Sequence, residues 1–299
     1  MKPLAYTKPL LMLPFDHRSS FSKDLLGFSG TLTPAQHAQV ADMKRVVYEG
    51  FLHSAGTPKD WYCILADDEY AIDILHAAKA QRYTVAMPVE KSGQTEFSFD
   101  HENWQERITA INPSIVKVLV RYNPQGDKKL YARQLKKLTQ LSTFCKKTKI
   151  PLLFELLVPA TEEQTKKYGK KYDDEIRPKL VAKAIKEIKE KVHVAIWKLE
   201  GLSKEQWKPV IAAANSTTRK DAPVFIVLGR NARPPIVDKW LRAAATHTQV
   251  TGFAVGRTIF YEPLAALRDK KITRAQAVEQ IANEFEHFTR VWTKAKQLR

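Results

Sequence analysis

Three charged residues stand inside apolar runs, where a charge is costly. Lys117 interrupts Ile115-Val-Lys-Val-Leu-Val-Arg121, Glu155 interrupts Leu152-Leu-Phe-Glu-Leu-Leu-Val158, and Lys198 follows Ala195-Ile-Trp. Taking an ammonium out of water costs several kcal/mol unless it is paired or loses its proton. If the three runs are neighbouring strands, two amines and one carboxylate converge. One amine could then attack a carbonyl to form a Schiff base, kept partly neutral by burial and by the other ammonium. The second amine and the carboxylate would handle the proton transfers. The alternative is a Lys–Glu–Lys cluster that only holds structure.

Other apolar runs end in polar groups as well. Leu10–Phe15 is followed by Asp16-His17-Arg18, Trp61–Ala66 by Asp67-Asp68, and Tyr83–Val89 by Glu90-Lys91-Ser92-Gly93. Val224–Leu228 leads to Gly229-Arg230, and Thr251–Val255 to Gly256-Arg257. Asp16, His17, Asp67 and Glu90 are the residues a metal-dependent lyase would use. The chain has no His-x-His pair, so the reading expects no metal and no cofactor. Cys63 and Cys145 lie within apolar segments and read as core.

These runs number eight when Ile115–Tyr122, Leu152–Val158 and Val192–Leu199 are included. Near-continuous apolar runs are the pattern of strands buried on both faces, as in a parallel sheet. Helix-period segments separate them. Thr33-Pro34 opens one with an N-cap and a first-turn proline that runs to about Phe51. Others are expected at Asp68–Gln81, His101–Ile111, Lys128–Lys147, Pro178–Val192, Lys204–Ala214 and Pro235–Thr246, with a last one over Thr273–Leu298. The last carries an apolar stripe of Ile281, Phe285, Phe288 and Trp292. Alternating strands and helices predict an α/β protein, a closed (β/α)8 barrel with residues 1–299 as one domain. An open doubly wound sheet is the rival, but no glycine-rich phosphate loop follows the first run. In such a barrel the chemistry sits at the carboxyl ends of the strands, where these charges fall.

The chain has 299 residues, 44% of them hydrophobic, with 49 Lys+Arg against 32 Asp+Glu for a net +17. That apolar content excludes a disordered or fibrous chain. No stretch has the roughly 18 apolar residues of a membrane helix, so no membrane partner is expected. Pro14 breaks the first apolar run, which lacks a small-residue cleavage site and is not read as a signal peptide. Two cysteines without a disulfide framework point to the reducing cytosol. Most of the basic excess lies between Lys117 and Lys220, chiefly on polar helix faces. A non-catalytic basic barrel binding anions or nucleic acid would need aromatics among these lysines. Tyr168 and Tyr172, beside Lys166, Lys167, Lys170 and Lys171, are the one such place, so nucleic acid is not the expected partner. Self-association into a homo-oligomer stays open.

Five motifs occur in order: Leu13-Pro-Phe-Asp-His-Arg-Ser-Ser-Phe21, Pro88-Val-Glu-Lys-Ser-Gly93, Val116-Lys-Val-Leu-Val-Arg-Tyr122, Trp197-Lys-Leu-Glu200 and Gly252-Phe-Ala-Val-Gly-Arg-Thr-Ile-Phe260. Together, over about Leu10 to Trp292, they resemble the aldolase-like module that follows a sugar kinase in bacterial inositol catabolism. That module is similar in turn to tagatose-bisphosphate aldolase and other class I aldolases. The resemblance implies a (β/α)8 lyase that splits 2-deoxy-5-keto-gluconate 6-phosphate into dihydroxyacetone phosphate and malonate semialdehyde. It implies Lys198 as the Schiff-base lysine, with Lys117, Glu155 and Asp16 as its catalytic partners. Gly256 and Arg257 would hold the phosphate, with Gly229, Arg18 and Glu90 as further substrate-binding residues. One departure is the end of the seventh run, Leu228-Gly229-Arg230, where related bisphosphate aldolases carry a more open run of small residues.

Overall fold

The computed structural model of the chain describes residues 6–215 and 222–297. Lys220 and Leu298, which bound two of the sequence expectations, lie outside them. Eight strands close a barrel in chain order: β1 (Leu10–Pro14), β2 (Tyr62–Leu65), β3 (Thr84–Pro88), β4 (Ile115–Arg121), β5 (Leu152–Leu157), β6 (Ile196–Glu200), β7 (Val224–Leu228) and β8 (Val250–Ala254). All neighbouring pairs are parallel, and β8 pairs back onto β1. The helices are α1 (Pro34–Ser54), α2 (Ile72–Ala80), α3 (Trp104–Ile111), α4 (Lys128–Thr148), α5 (Glu162–Tyr168), α6 (Arg177–Lys189), α7 (Lys204–Ala214), α8 (Pro234–Ala245), α9 (Arg257–Arg268) and α10 (Arg274–Gln297). The expected (β/α)8 barrel is the fold observed.

Successive strand residues face opposite sides, so each strand feeds two cores. Inward residues such as Leu10, Met12, Leu65, Ile115, Leu153 and Ile226 fill the lower barrel. Outward residues such as Val116, Val118, Phe154, Trp197, Phe225 and Phe253 pack beneath the helices. The same alternation sends Lys117, Glu155 and Lys198 inward, one step above the apolar plug. α10 lays Phe285 against Phe51, Tyr62 and Phe253, which places its buried stripe across the outside of the β8–β1–β2 wall.

Two element boundaries moved from the sequence reading because a polar tie replaced a ladder or helix bond, and one helix was not foreseen. The Val192–Ala195 part of the expected sixth strand is a connection; the His193 amide donates to Ser142 Oγ on α4 at 2.7 Å, and the ladder starts at Ile196. The second expected helix starts at Ile72 rather than Asp68, since Asp67 accepts from the Tyr70 amide and Asp68 pairs with Arg107. Helix α5 was not anticipated, although Thr161-Glu-Glu-Gln164 forms a complete capping box and Gly169 ends it.

Gly252 marks where the barrel closes. A Cβ there would lie 1.9 Å from the Leu10 carbonyl oxygen across the β8–β1 seam. Gly252→Ala is expected to lower unfolding stability by about 1–3 kcal/mol, the usual cost of overpacking, or to prevent folding. Equilibrium denaturation in urea reads this directly.

Candidate active site

The carboxyl ends of the strands surround a cavity of about 440 Å³. Five ionisable side chains meet at its floor, and all are buried, Lys117 and Lys198 exposing only 2% and 3% of their surface. Lys117 Nζ donates to Asp16 Oδ2 at 2.7 Å and to Glu90 Oε1 at 2.6 Å, and lies 3.1 Å from Glu155 Oε2. Lys198 Nζ donates to the same Glu155 oxygen at 3.0 Å. Strand register makes Glu155 and Lys198 direct neighbours across β5 and β6. Asp16, just beyond β1, reaches Lys117 across the barrel mouth. Every acceptor in the cluster is a carboxylate and every donor an ammonium, so the pairing offsets the desolvation cost that any one of them would carry alone.

The field inside the cluster sorts these groups. Burial alone would raise Asp16, but Lys117, His17 and Lys198 outweigh it and hold its carboxyl well below the usual range. Glu155 follows the same logic: burial opposes ionisation, and Lys198 and Lys117 overcome it. Glu90 goes the other way, raised by burial and by Asp16 more than Lys117 and Arg18 lower it. Burial lowers Lys117, yet Asp16, Glu90 and Glu155 together lift it well above an ordinary lysine. It is a permanent ammonium. Burial pushes His17 down to about 4 against the pull of Asp16, so its ring is neutral at pH 7.

The expected anion-binding residues occupy the other side of the mouth. Gly256 precedes α9, whose first turn has no side-chain cap. A Cβ on Gly256 would meet the Pro14 carbonyl oxygen at 2.3 Å, so the close approach of β8 to β1 requires glycine here. The Arg257 side chain is 37% exposed, and its nearest carboxylate is Asp24 at 4.0 Å. Helix α9 begins at Arg257, directly after Gly256. Gly229 lines the cavity too, followed by Arg230 and Asn231 in left-handed backbone with φ of 51° and 56°. Arg18 lines the cavity with its guanidinium bound to Asp100 and the Glu90 carbonyl. Glu90 sits with Lys117, not with Arg257.

The metal set does not assemble. Asp67 is fully buried against Lys44 of α1, away from Asp16 and Glu90. Among the described residues no three His, Cys, Asp or Glu side chains converge as ligands. Burial pushes both thiols up, Cys145 to about 12, in line with core positions. Of the two tyrosines amid the lysine run, Tyr172 is buried with its hydroxyl donating to the Val158 carbonyl. That removes the aromatic interleaving a nucleic-acid groove needs. No helix among the described residues is long and apolar enough to cross a membrane.

Sequence reasoning passed over Arg121, Glu200 and Asn231, which also line the cavity. The signal for two of them was present. Arg121 lies four residues beyond Lys117, and Glu200 two beyond Lys198, so strand alternation puts both inward. Arg121 donates to the Gln94 carbonyl at 2.8 Å. Glu200 is bound by Arg177 and Arg230 at 3.4 and 2.8 Å.

A family described as "Uncharacterized protein conserved in bacteria (DUF2090)" matches residues 4–296. The chain belongs to that family. No curated protein matches it in sequence. Among solved structures it is similar to the Cgl0159 protein of Corynebacterium glutamicum, at 16% identity and a TM-score of 0.60, over 96% of this chain and 88% of that one. It is also similar to an archaeal fructose 1,6-bisphosphate aldolase, at 10% identity and a TM-score of 0.58, over 96% and 94% of the two chains. A Schiff-base-forming fructose-1,6-bisphosphate aldolase follows at 11% identity and a TM-score of 0.56, over 95% and 94%. These likenesses establish a shared barrel fold.

Lys117→Met leaves three buried carboxylates facing each other. Removing one partner of a buried ion pair costs about 3–5 kcal/mol, and that loss is expected at pH 7. The Asp16 and Glu155 carboxyls lie below their unfolded values, so the stability from their pairing is present above those values and lost as pH falls through the folded ones. The gap between variant and parent should therefore shrink on acidification. Denaturant midpoints at pH 7 and at about pH 3, below the unfolded carboxyl values, check the sign.

Proposed function

We propose that this protein is a Schiff-base aldolase acting on a phosphorylated keto sugar or keto sugar acid. The observation that carries the reading is the buried chain of Lys198, Glu155 and Lys117 at the floor of a strand-end cavity, facing an uncapped helix start and Arg257. In this reading the Lys198 amine attacks the substrate ketone. The iminium that forms draws electrons from the neighbouring carbon–carbon bond as it breaks. Glu155 passes protons at Lys198, Lys117 fixes the charge of the cluster, and Asp16 is a further acid/base group. Phosphate binds at the Gly256 and Arg257 backbone amides and the Arg257 guanidinium. Gly229 is a further part of that wall, and Arg18 holds the end of β3 in place.

Two further observations support it. Two solved structures of similar fold are fructose-bisphosphate aldolases, one of them described as Schiff-base forming. The five ordered motifs favour 2-deoxy-5-keto-gluconate 6-phosphate as the first substrate to assay.

Borohydride reduction with dihydroxyacetone phosphate is expected to add the mass of the reduced ketone to the protein. Lys198→Met should abolish both this adduct and turnover. Lys117→Met should cut turnover by about 10²–10⁴-fold, the range for a lost proton-transfer partner, while the adduct survives at raised pH. Intact-mass measurement showing no adduct on the parent protein with any ketose phosphate would refute the reading. Arg257→Ala should raise KM for a phosphorylated substrate by roughly 10–100-fold, the loss of one charge-assisted hydrogen bond, with kcat little changed. An unchanged KM places the phosphate elsewhere.

A further inference from the structure

One buried carboxylate of the cluster has no task in this scheme. Glu90 Oε1 accepts from Lys117 at 2.6 Å, whereas its Oε2 is buried with no hydrogen-bond partner. The charged groups facing it are Lys117 from β4, Asp16 from beyond β1, and Arg18. Arg18 does not answer the carboxylate; its guanidinium is turned to Asp100 and to the Glu90 main-chain carbonyl. Fully ionised, the cluster sets three carboxylates (Asp16, Glu90 and Glu155) against two ammoniums. One negative charge is then left uncompensated among buried side chains. Such a carboxylate with a bare oxygen is costly, and the neutral acid is its cheaper state.

The three carboxylates differ in how they meet that cost. Asp16 and Glu155 are each pulled down by ammoniums, while burial leaves Glu90 raised. Pairs of groups whose surroundings push them apart in this way are where acid and base roles separate. The hydrogen-bond path from Glu90 to Lys198 is also continuous. It runs from Glu90 Oε1 to Lys117 Nζ at 2.6 Å, on to Glu155 Oε2 at 3.1 Å, and then to Lys198 Nζ at 3.0 Å.

We propose that Glu90 is the proton reservoir of the site, a positioning carboxyl that acts on Lys198 through Lys117 and Glu155. The inference rests on the aldolase reading. When the carbinolamine on Lys198 collapses, the nitrogen lone pair forms the C=N bond and the C–O bond breaks. The departing hydroxyl takes a proton and leaves as water. In one concerted shift Glu155 takes a proton from Lys117 as it passes one to the hydroxyl, and Lys117 takes one from Glu90 as it gives its own, so Lys117 remains an ammonium and Glu155 a carboxylate. The net change is one O–H bond broken at Glu90 and one formed in water. Lys117 and Glu155 end as they began, and hydrolysis of the imine runs the relay backwards.

The test has a ligand-free arm and a reactive arm. Carbon-13 NMR of glutamate labelled at its side-chain carboxyl should show a Glu90 resonance titrating above the ordinary range, beside those of Glu200 and Glu284, which burial also raises. It should be absent from Glu90→Gln and present in Lys198→Met. In the reactive arm, dihydroxyacetone phosphate and borohydride are given to the parent, Glu90→Gln and Glu90→Asp. Glutamine keeps an oxygen for Lys117 but supplies no acid proton. Adduct formation should slow about 100-fold in Glu90→Gln and lose its acid-side pH dependence, and Glu90→Asp should recover part of both. An adduct on the parent with no elevated resonance that Glu90→Gln removes overturns the relay alone. So does a Glu90→Gln variant whose pH profile matches the parent. A titrating Glu90 with no adduct on the parent overturns the aldolase reading and the relay with it.

Discussion

The barrel mouth is organised by a single ammonium held among three carboxylates. Lys117 draws together Asp16 beyond β1, Glu90 beyond β3 and Glu155 on β5, so strand ends from across the barrel are fixed by one side chain. Buried ion pairs of this kind add little net stability over apolar packing, because desolvation cancels most of the attraction. What they supply here is placement and charge. Lys117 has three acceptors and stays charged. Lys198 has one, and it shares that oxygen with Lys117. The two lysines are alike in sequence context and unlike in their partners. In the aldolase we propose, that asymmetry is the reason to take Lys198 as the nucleophile.

The rest of the barrel supports this arrangement by exclusion. Below the cluster the interior is closed by aliphatic side chains, which deny water a route to the ammoniums from the bottom. Above it the cavity opens only at the strand ends. Opposite the lysines, β8 approaches β1 so closely that Gly256 has no room for a side chain, and α9 starts there without a cap. A helix start without a side-chain cap and a partly exposed arginine make a cationic wall facing an anionic floor. A substrate with a carbonyl near one end and a phosphate at the other fits that polarity.

Much of this was legible before any coordinates. Eight apolar runs and the helical segments between them specified the barrel, because a strand buried on both faces tolerates few polar residues. For the same reason Lys117, Glu155 and Lys198 stood out. The site's membership was legible where it depended on strand alternation. It was not legible where it depended on partner choice among loop residues. Asp67 and Asp16 look equivalent in sequence, each closing an apolar run. Asp67 instead meets Lys44 on α1, a contact between positions whose pairing no local pattern encodes. Glu90 is a similar case. Its place beside Lys117 rather than near Arg257 follows from β3 lying next to β4, a property of the closed barrel. The early end of the apolar run at Val192–Ala195 went unread because burial alone cannot separate a ladder from a connection tied by Ser142.

The most direct measurement is a crystal structure of the protein after borohydride reduction in the presence of dihydroxyacetone phosphate. The account requires continuous density from Lys198 Nζ to the former carbonyl carbon, Lys117 still surrounded by Asp16, Glu90 and Glu155, and the phosphate at the first turn of α9 beside Arg257. Density joined to Lys117, or a phosphate seated across the mouth at Arg121, would contradict it.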